Sequence, residues 1–229
     1  MCERTASAGV QSRQDQRFID FLGQDVLRSA LEQAAEGNAQ HHIFLVGAPG
    51  AGKTHLLRAA AGHALALNRS AAYVPIARMA PMLPEILDGL DSQELVCLDD
   101  IQALAGLPAA EEALFHFYNR VSADGGRLLF AADAMPSALA IGLPDLVSRL
   151  QQGLRLTLDA LDEHGKRQVI ARRAAKRGLQ VDDAVLDYLF SRVSRDLHTL
   201  SAVLDRLDQA SLAAQRRLTV PFIKSVLNA

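Results

Sequence analysis

The string Gly47-Ala48-Pro49-Gly50-Ala51-Gly52-Lys53-Thr54 fits G-x-x-x-x-G-K-[ST], and it stands between an apolar run, Ile43–Val46, and a helical stretch, Thr54–Leu67. Strand, loop and helix in that order are the context the motif needs. The glycines let the backbone curl with its N–H groups pointing inward, and the helix N-terminus adds partial positive charge where a phosphate sits. Lys53 supplies a compact cation to the outer phosphates, and the Thr54 hydroxyl can coordinate Mg2+. The candidate nucleotide-binding residues are therefore Gly47, Pro49, Gly50, Ala51, Gly52, Lys53, Thr54 and the adjoining His55. The bland alternative is a glycine-rich turn with an incidental lysine.

The pattern around the loop constrains the fold. A helix is predicted at Asp25–Glu36, ended by Gly37-Asn38. Strand-like runs follow at Ile43–Val46, Ala72–Ile76, Leu95–Leu98, Arg127–Ala131 and Leu154–Leu158. Helices are predicted between them at Thr54–Leu67, Met82–Leu90, Glu111–Val121 and Pro144–Leu150. Short β-rich runs alternating with helices predict an α/β fold: a parallel sheet covered by helices on both faces. Beyond about Asp159 only helices are predicted: Glu163–Arg177 closed by Gly178, Asp183–Arg192 capped by Asp182 or Asp183, Asp196–Ala213 and Pro221–Leu227. The expected domains are a flexible segment 1–16, a nucleotide-binding base 17–158 and a small all-helical lid 159–229.

Composition excludes several classes. Of the 229 residues 49% are hydrophobic and 22% charged, an ordinary globular balance, and the formal charge of -2 argues against non-specific DNA coating. Residues 1–149 carry 11 basic and 17 acidic groups and residues 150–229 carry 13 and 9, so only the C-terminal third is mildly basic. Cys2 and Cys97 support neither a disulfide framework nor a metal site. No apolar run is long enough to span a membrane, and the polar start lacks a signal-peptide core, so a cytoplasmic protein without membrane contact is expected.

Leu95-Val96-Cys97-Leu98 runs into Asp99-Asp100. A buried strand ending in acids places carboxylates at the carboxyl edge of the sheet, where ligands of α/β folds bind. Asp99 would hold Mg2+, directly or through water, and Asp100 would orient or deprotonate an attacking water. Alone such a pair is weak evidence, since strand-end acids are as often loop caps.

GAPGAGKTHLL, LVCLDDIQ, FAADAMPSAL and LPDLVSRL, in this order and ahead of a helical lid, resemble the AAA+ P-loop ATPases of the DnaA type. FHFYNRV, IGLPDLVSRL and the closing AQRRLTVPFIKSVL resemble the short Hda-type branch that switches the initiator off. The resemblance covers residues 17–229. It implies ADP or ATP with Mg2+ as cofactors. It places Asp133 at the sensor-one position near the γ-phosphate, although read alone Asp133 is equally a turn or cap aspartate. Arg149 matches the arginine finger that projects toward a neighbouring subunit's nucleotide, although a lone surface arginine is more often a salt-bridge partner. His198 stands where the family has a sensor-two arginine. Leu197, Leu200, Leu204, Leu207 and Ser211 form the buried stripe of its helix, so His198 faces either the nucleotide or water. A histidine there would make a weaker, pH-dependent phosphate contact.

The implied function is a nucleotide-bound negative regulator that promotes hydrolysis of DnaA-bound ATP through an arginine supplied in trans, with slow hydrolysis of its own. The alternative is a DNA-acting AAA+ ATPase such as a helicase loader or an initiator-like ATPase. The partners implied are DnaA, a DNA-loaded sliding clamp and a possible homo-oligomer. The Hda-type branch usually opens with a Gln-Leu-x-Leu-type clamp-docking segment, and MCERTASAGVQSRQDQRF has Gln11 without an apolar anchor beside it. No dedicated DNA-binding domain is expected after the lid, and the segment between Ile76 and Leu95 leaves little room for single-strand-contacting helices. The basic stretch GKRQVIARRAAKRG (Lys166, Arg167, Arg172, Arg173, Lys176, Arg177) lacks stacking aromatics and reads as a solvated helix face or as a surface for an acidic partner.

Overall fold

The computed structural model describes residues 18, 21, 24–193, 196–214 and 217–227, apart from the side chain of His198. The expected flexible segment 1–16 and the His198 side chain lie outside the described residues. Two compact units divide the chain, Met1–Ala160 and Leu161–Ala229.

The first unit is an α/β base. In chain order it comprises α1 (Asp25–Glu36), β1 (Ile43–Gly47), α2 (Lys53–Ala66), β2 (Ala71–Pro75), α3 (Ile76–Met79) and α4 (Leu83–Asp88). It continues with β3 (Leu95–Asp99), α5 (Pro108–Ala123), β4 (Arg127–Ala132), α6 (Pro144–Gln152) and β5 (Leu154–Leu158). The five strands pair in parallel in the order β2-β3-β4-β1-β5. Alternate residues of β1, β2, β3 and β4 feed two separate cores. Phe44, Val46, Val96, Leu98 and Phe130 pack on one face with Leu114, Phe117 and Leu146. Ile43, Leu45, Leu95, Cys97 and Leu129 pack on the other with Leu31, Leu56 and Leu57. Burial on both faces is why β1 and β3 read as continuous apolar runs in the sequence.

Two predicted elements differ in detail. The short helix expected near Met82–Leu90 is α4, which ends two residues earlier, and it is preceded by two elements that were not expected, α3 and a 3-10 turn at Ala80–Met82. Pro81 and Pro84 lack the N–H that a continuous helix would need, so the path is broken into turns. The helix expected at Glu111–Val121 starts three residues earlier, because Pro108 at the first helical position forgoes only a hydrogen bond that no helix makes there.

The second unit contains α7 (Glu163–Lys176), α8 (Asp183–Arg192), α9 (Leu197–Ala214) and α10 (Val220–Leu227). Its core is made by Val185, Leu189, Val203, Leu207, Leu218 and Ile223, with Ile170, Leu186, Phe190 and Leu200 beside them. Asp162 caps α7 by accepting from the Gly165 N–H at 2.7 Å, and Asp182 caps α8 by accepting from Val185 at 2.8 Å. Gly178, at φ +73°, follows the last turn of α7 in the left-handed conformation that a glycine adopts without strain. Three cations of the basic stretch find partners inside the unit. Arg167 pairs with Asp187 at 2.6 Å, Arg177 with Asp205, and Arg173 donates to Ser201.

Candidate functional site

β1 leads straight into the phosphate loop, and the sheet order puts β4 between β1 and β3. The carboxyl ends of these three strands therefore present the loop, Asp133 and the Asp99-Asp100 pair side by side, where ligands of parallel sheets bind. Gly47 closes β1 so near to β5 that an added Cβ would lie 2.8 Å from the Leu158 carbonyl oxygen. Gly52, the residue before α2, sits at φ +109° with the Phe21 ring 3.3 Å from where its Cβ would be. Only glycine fits both demands there. His55 lies one turn on, its ring stacked at 6.3 Å on Phe21.

Lys53 is buried, and its ammonium donates to the carbonyls of Gly47 at 2.5 Å and Ala48 at 3.2 Å. Burial lowers its pKa from the ordinary lysine value, and the charges of Asp99, Asp100 and Asp133 work against that loss. All three acids are thus close enough to act on the loop's cation. Asp99 is 1% exposed, yet its carboxylate is well supplied with donors. Oδ2 accepts from Thr54 Oγ1 at 2.6 Å and from the Tyr73 hydroxyl at 2.7 Å, and Oδ1 accepts from the Asp100 N–H at 3.1 Å. Burial and the neighbouring Asp99 keep Tyr73 protonated by pushing its phenol well up.

Asp100 follows in the left-handed region at φ +61°, a conformation that aspartate tolerates better than most residues. Burial and then the Asp99 charge raise its pKa above the usual carboxylate value, while a hydrogen bond from Gln102 at 3.1 Å acts in the other direction. A carboxylate with raised basicity at a strand end is suited to polarising a water. Asp133 is exposed just past β4.

The residues present fit a nucleotide phosphate with its cation. The loop glycines leave the cradle open, and Thr54 and Asp99 offer two oxygens to a metal. Among the described residues no group of three or more His, Cys, Asp or Glu gathers for a metal. Two protein oxygens suit Mg2+, which takes most of its remaining ligands from phosphate and water.

Arg149 is not in this constellation. It lies near the end of α6, which returns the chain to the start of β5, and its guanidinium donates to Gln152 Oε1 at 3.2 Å. The Tyr118 ring lies beneath it, with the centroid 6.0 Å away. Arg149, Gln152 and Gly153 line a cleft of about 580 Å3 together with His41, His42 and Arg127, at the amino ends of the strands. The Leu154 N–H donates to the His42 carbonyl at 2.8 Å, which fixes this end of β5 to the start of β1. The five residues of β1, roughly 16 Å of strand, separate this end from the phosphate loop. Sequence reasoning missed Tyr73 and Arg58 at the loop, His42 at the cleft, and Glu111, whose buried carboxylate accepts from the Leu143 N–H at 2.8 Å where α6 begins.

Residues 18–157 match the model of the bacterial DnaA ATPase domain, and residues 162–227 match that of the Hda lid domain. An uncharacterised protein of Haemophilus influenzae is 42% identical over 217 residues, covering 93% of this chain and 94% of its own. Domain III of the Thermotoga maritima replication initiation protein DnaA has a TM-score of 0.79 at 21% identity, over 94% of this chain and 96% of that one. The replication initiator DnaA bound to AMPPCP and single-stranded DNA gives 0.69 at 22% identity, over 88% and 68%. The crystal structure of a DNA replication initiation factor gives 0.71 at 23% identity, and this chain spans 66% of its length and matches it over 88% of its own. At these identities the solved structures share the α/β AAA+ fold with a helical lid.

Proposed function

The chain belongs to the bacterial DnaA ATPase-domain family and carries a lid of the Hda type, and on that premise we propose that it regulates the initiator DnaA through the nucleotide that DnaA holds. The observation that carries the reading is the separation of Arg149 from its own phosphate loop. A half-exposed arginine at the opposite end of β1 cannot serve the nucleotide of its own subunit, but it is free to serve a neighbour's. The chain binds ADP or ATP at Gly47–Thr54, with Lys53 on the outer phosphates and Thr54 and Asp99 holding Mg2+. Held there, Mg2+ would neutralise phosphate charge. Phe21 and His55 close the loop's flank, and Asp133 and Asp100 orient water for a slow hydrolysis of the chain's own triphosphate. So loaded, the base docks head-to-tail on ATP-bound DnaA and presents Arg149 to the γ-phosphate. An arginine placed in trans stabilises the charge that develops in phosphoryl transfer, typically worth ~10³–10⁵ in rate. The product is DnaA bound to ADP.

The test is single-turnover hydrolysis of ATP prebound to DnaA, with wild type against Arg149→Ala, with and without sliding clamp on DNA. Wild type is expected to accelerate hydrolysis and the variant to lose ~10³-fold or more of that acceleration. Equal acceleration by both would remove Arg149 from the mechanism. No acceleration by either, together with DNA-stimulated hydrolysis by this chain alone, would replace the regulator with a DNA-acting ATPase.

A further inference from the structure

Nothing in the phosphate-loop motif calls for a phenol, yet one is built into the loop's acid. Tyr73 comes from β2, the edge strand paired with β3, in register with Cys97 two residues before Asp99. Its hydroxyl donates to Asp99 Oδ2 at 2.7 Å, the oxygen that also accepts from Thr54 Oγ1 at 2.6 Å. Arg58, one turn along α2 from Thr54, lays its guanidinium over the Tyr73 ring, 4.7 Å from the centroid. Arg58 therefore helps to locate the ring beside the Asp99 carboxylate.

Two O–H donors converging on one oxygen from different elements fix the plane of the Asp99 carboxylate. Tyr73 adds a donor from the neighbouring strand to the hold that Thr54 and the Asp100 N–H already have on it. With Thr54 and Tyr73 on Oδ2 and the Asp100 N–H on Oδ1, both carboxylate oxygens are held in place beside the Thr54 hydroxyl. Outer-shell hydrogen bonds of this kind orient ligating carboxylates and set metal affinity.

We propose that Tyr73, held by Arg58, is a positioning residue for the divalent cation at Thr54 and Asp99, and that it sets how much Mg2+ the chain needs to retain a nucleoside diphosphate. This rests on the reading of the loop as a nucleotide–Mg2+ site.

The experiment uses the full chain loaded with a fluorescent ADP analogue. Nucleotide release is followed as Mg2+ is titrated, with an arm in excess EDTA, for wild type, Tyr73→Phe and Arg58→Gln. The expected result is an unchanged release rate in EDTA for Tyr73→Phe, and a Mg2+ midpoint for slow release raised about 10-fold. Arg58→Gln should move the midpoint in the same direction by a smaller factor. A hydroxyl that only fills the needs of a buried carboxylate would lower the melting temperature and leave the Mg2+ midpoint where it is, and that result overturns the proposal. If wild-type release ignores Mg2+ altogether, the metal site itself is refuted and the role of Tyr73 with it.

Discussion

His42 floors the cleft that holds Arg149, and its surroundings place an acid limit on the fold. Its Nδ1 accepts from the Leu128 N–H at 3.1 Å, and its Nε2 meets Ser122 Oγ at 2.8 Å. Ser122 donates its own proton to the Tyr118 carbonyl at 2.7 Å, so Nε2 must carry the ring hydrogen and the imidazole is neutral. Burial first, then the charges of Arg127 and His41, lower its pKa from 6.5 to about 4. A histidine whose folded pKa lies below its unfolded value takes up its proton more readily in the unfolded chain. Its contribution is therefore complete above pH 6.5 and is lost as pH falls from 6.5 toward 4. A gap of about 2.5 pH units at 1.36 kcal/mol each sets a ceiling near 3.4 kcal/mol. By pH 5 the same linkage has removed about 2 kcal/mol, and solvent at the outer ring edge brings this closer to 1. The assay is urea unfolding of wild type and His42→Gln at pH 7.5 and 5.0. Wild type should lose about 1–2 kcal/mol more than the variant over that interval. Equal losses would mean that the imidazole is not held neutral, and the tautomer assignment would fall with it.

Glu111→Ala removes the buried acceptor for the first N–H of the Arg149 helix, and should cost about 1–3 kcal/mol in chemical denaturation. Gly52→Ala meets both a φ of +109° and the Phe21 ring, so calorimetry should show ADP binding lost even where the fold survives. Asp100→Asn keeps the left-handed backbone and the Gln102 contact. It should abolish the chain's own hydrolysis while leaving ADP affinity within a few-fold in equilibrium titration. Arg177→Ala breaks a partly exposed ion pair to Asp205 in the lid and should shift stability by less than about 1 kcal/mol in thermal melts.

Much of the base could be read directly from the chain. Strands buried on both faces leave unbroken apolar runs, and the loop's chemistry is local, so Gly47–Thr54, Asp99 and the helix carrying Arg149 all followed from short-range pattern. Leu200, Leu204 and Leu207 are buried as their spacing predicts, whereas Leu197 and Ser211 at the ends of the expected stripe are only half-buried, and Val203 joins the core with Val185 of α8 and Ile223 of α10. What escaped was long-range. Tyr73 acts through the register of β2 on β3, and one strand-borne tyrosine in an apolar run carries no sign of which carboxylate it will meet. His42 and Ser122 are 80 residues apart, and Glu111 reaches Leu143 across 32. The turns between Ile76 and Met82 that lead into α4 left no periodic signal, because Pro81 and Pro84 break the path into pieces too short for one.

The most direct test is a distance. A spin label at position 152, one turn from Arg149, is paired with a spin-labelled ATP analogue bound either to DnaA or to the chain's own loop, with Cys2→Ser removing the terminal thiol. Dipolar spectroscopy of the ATP–DnaA complex should give a distance to the DnaA nucleotide shorter than that to the chain's own, which must exceed the ~16 Å of β1. A label that lies nearer its own nucleotide, or that shows no coupling to the one on DnaA, would contradict an arginine acting across the interface.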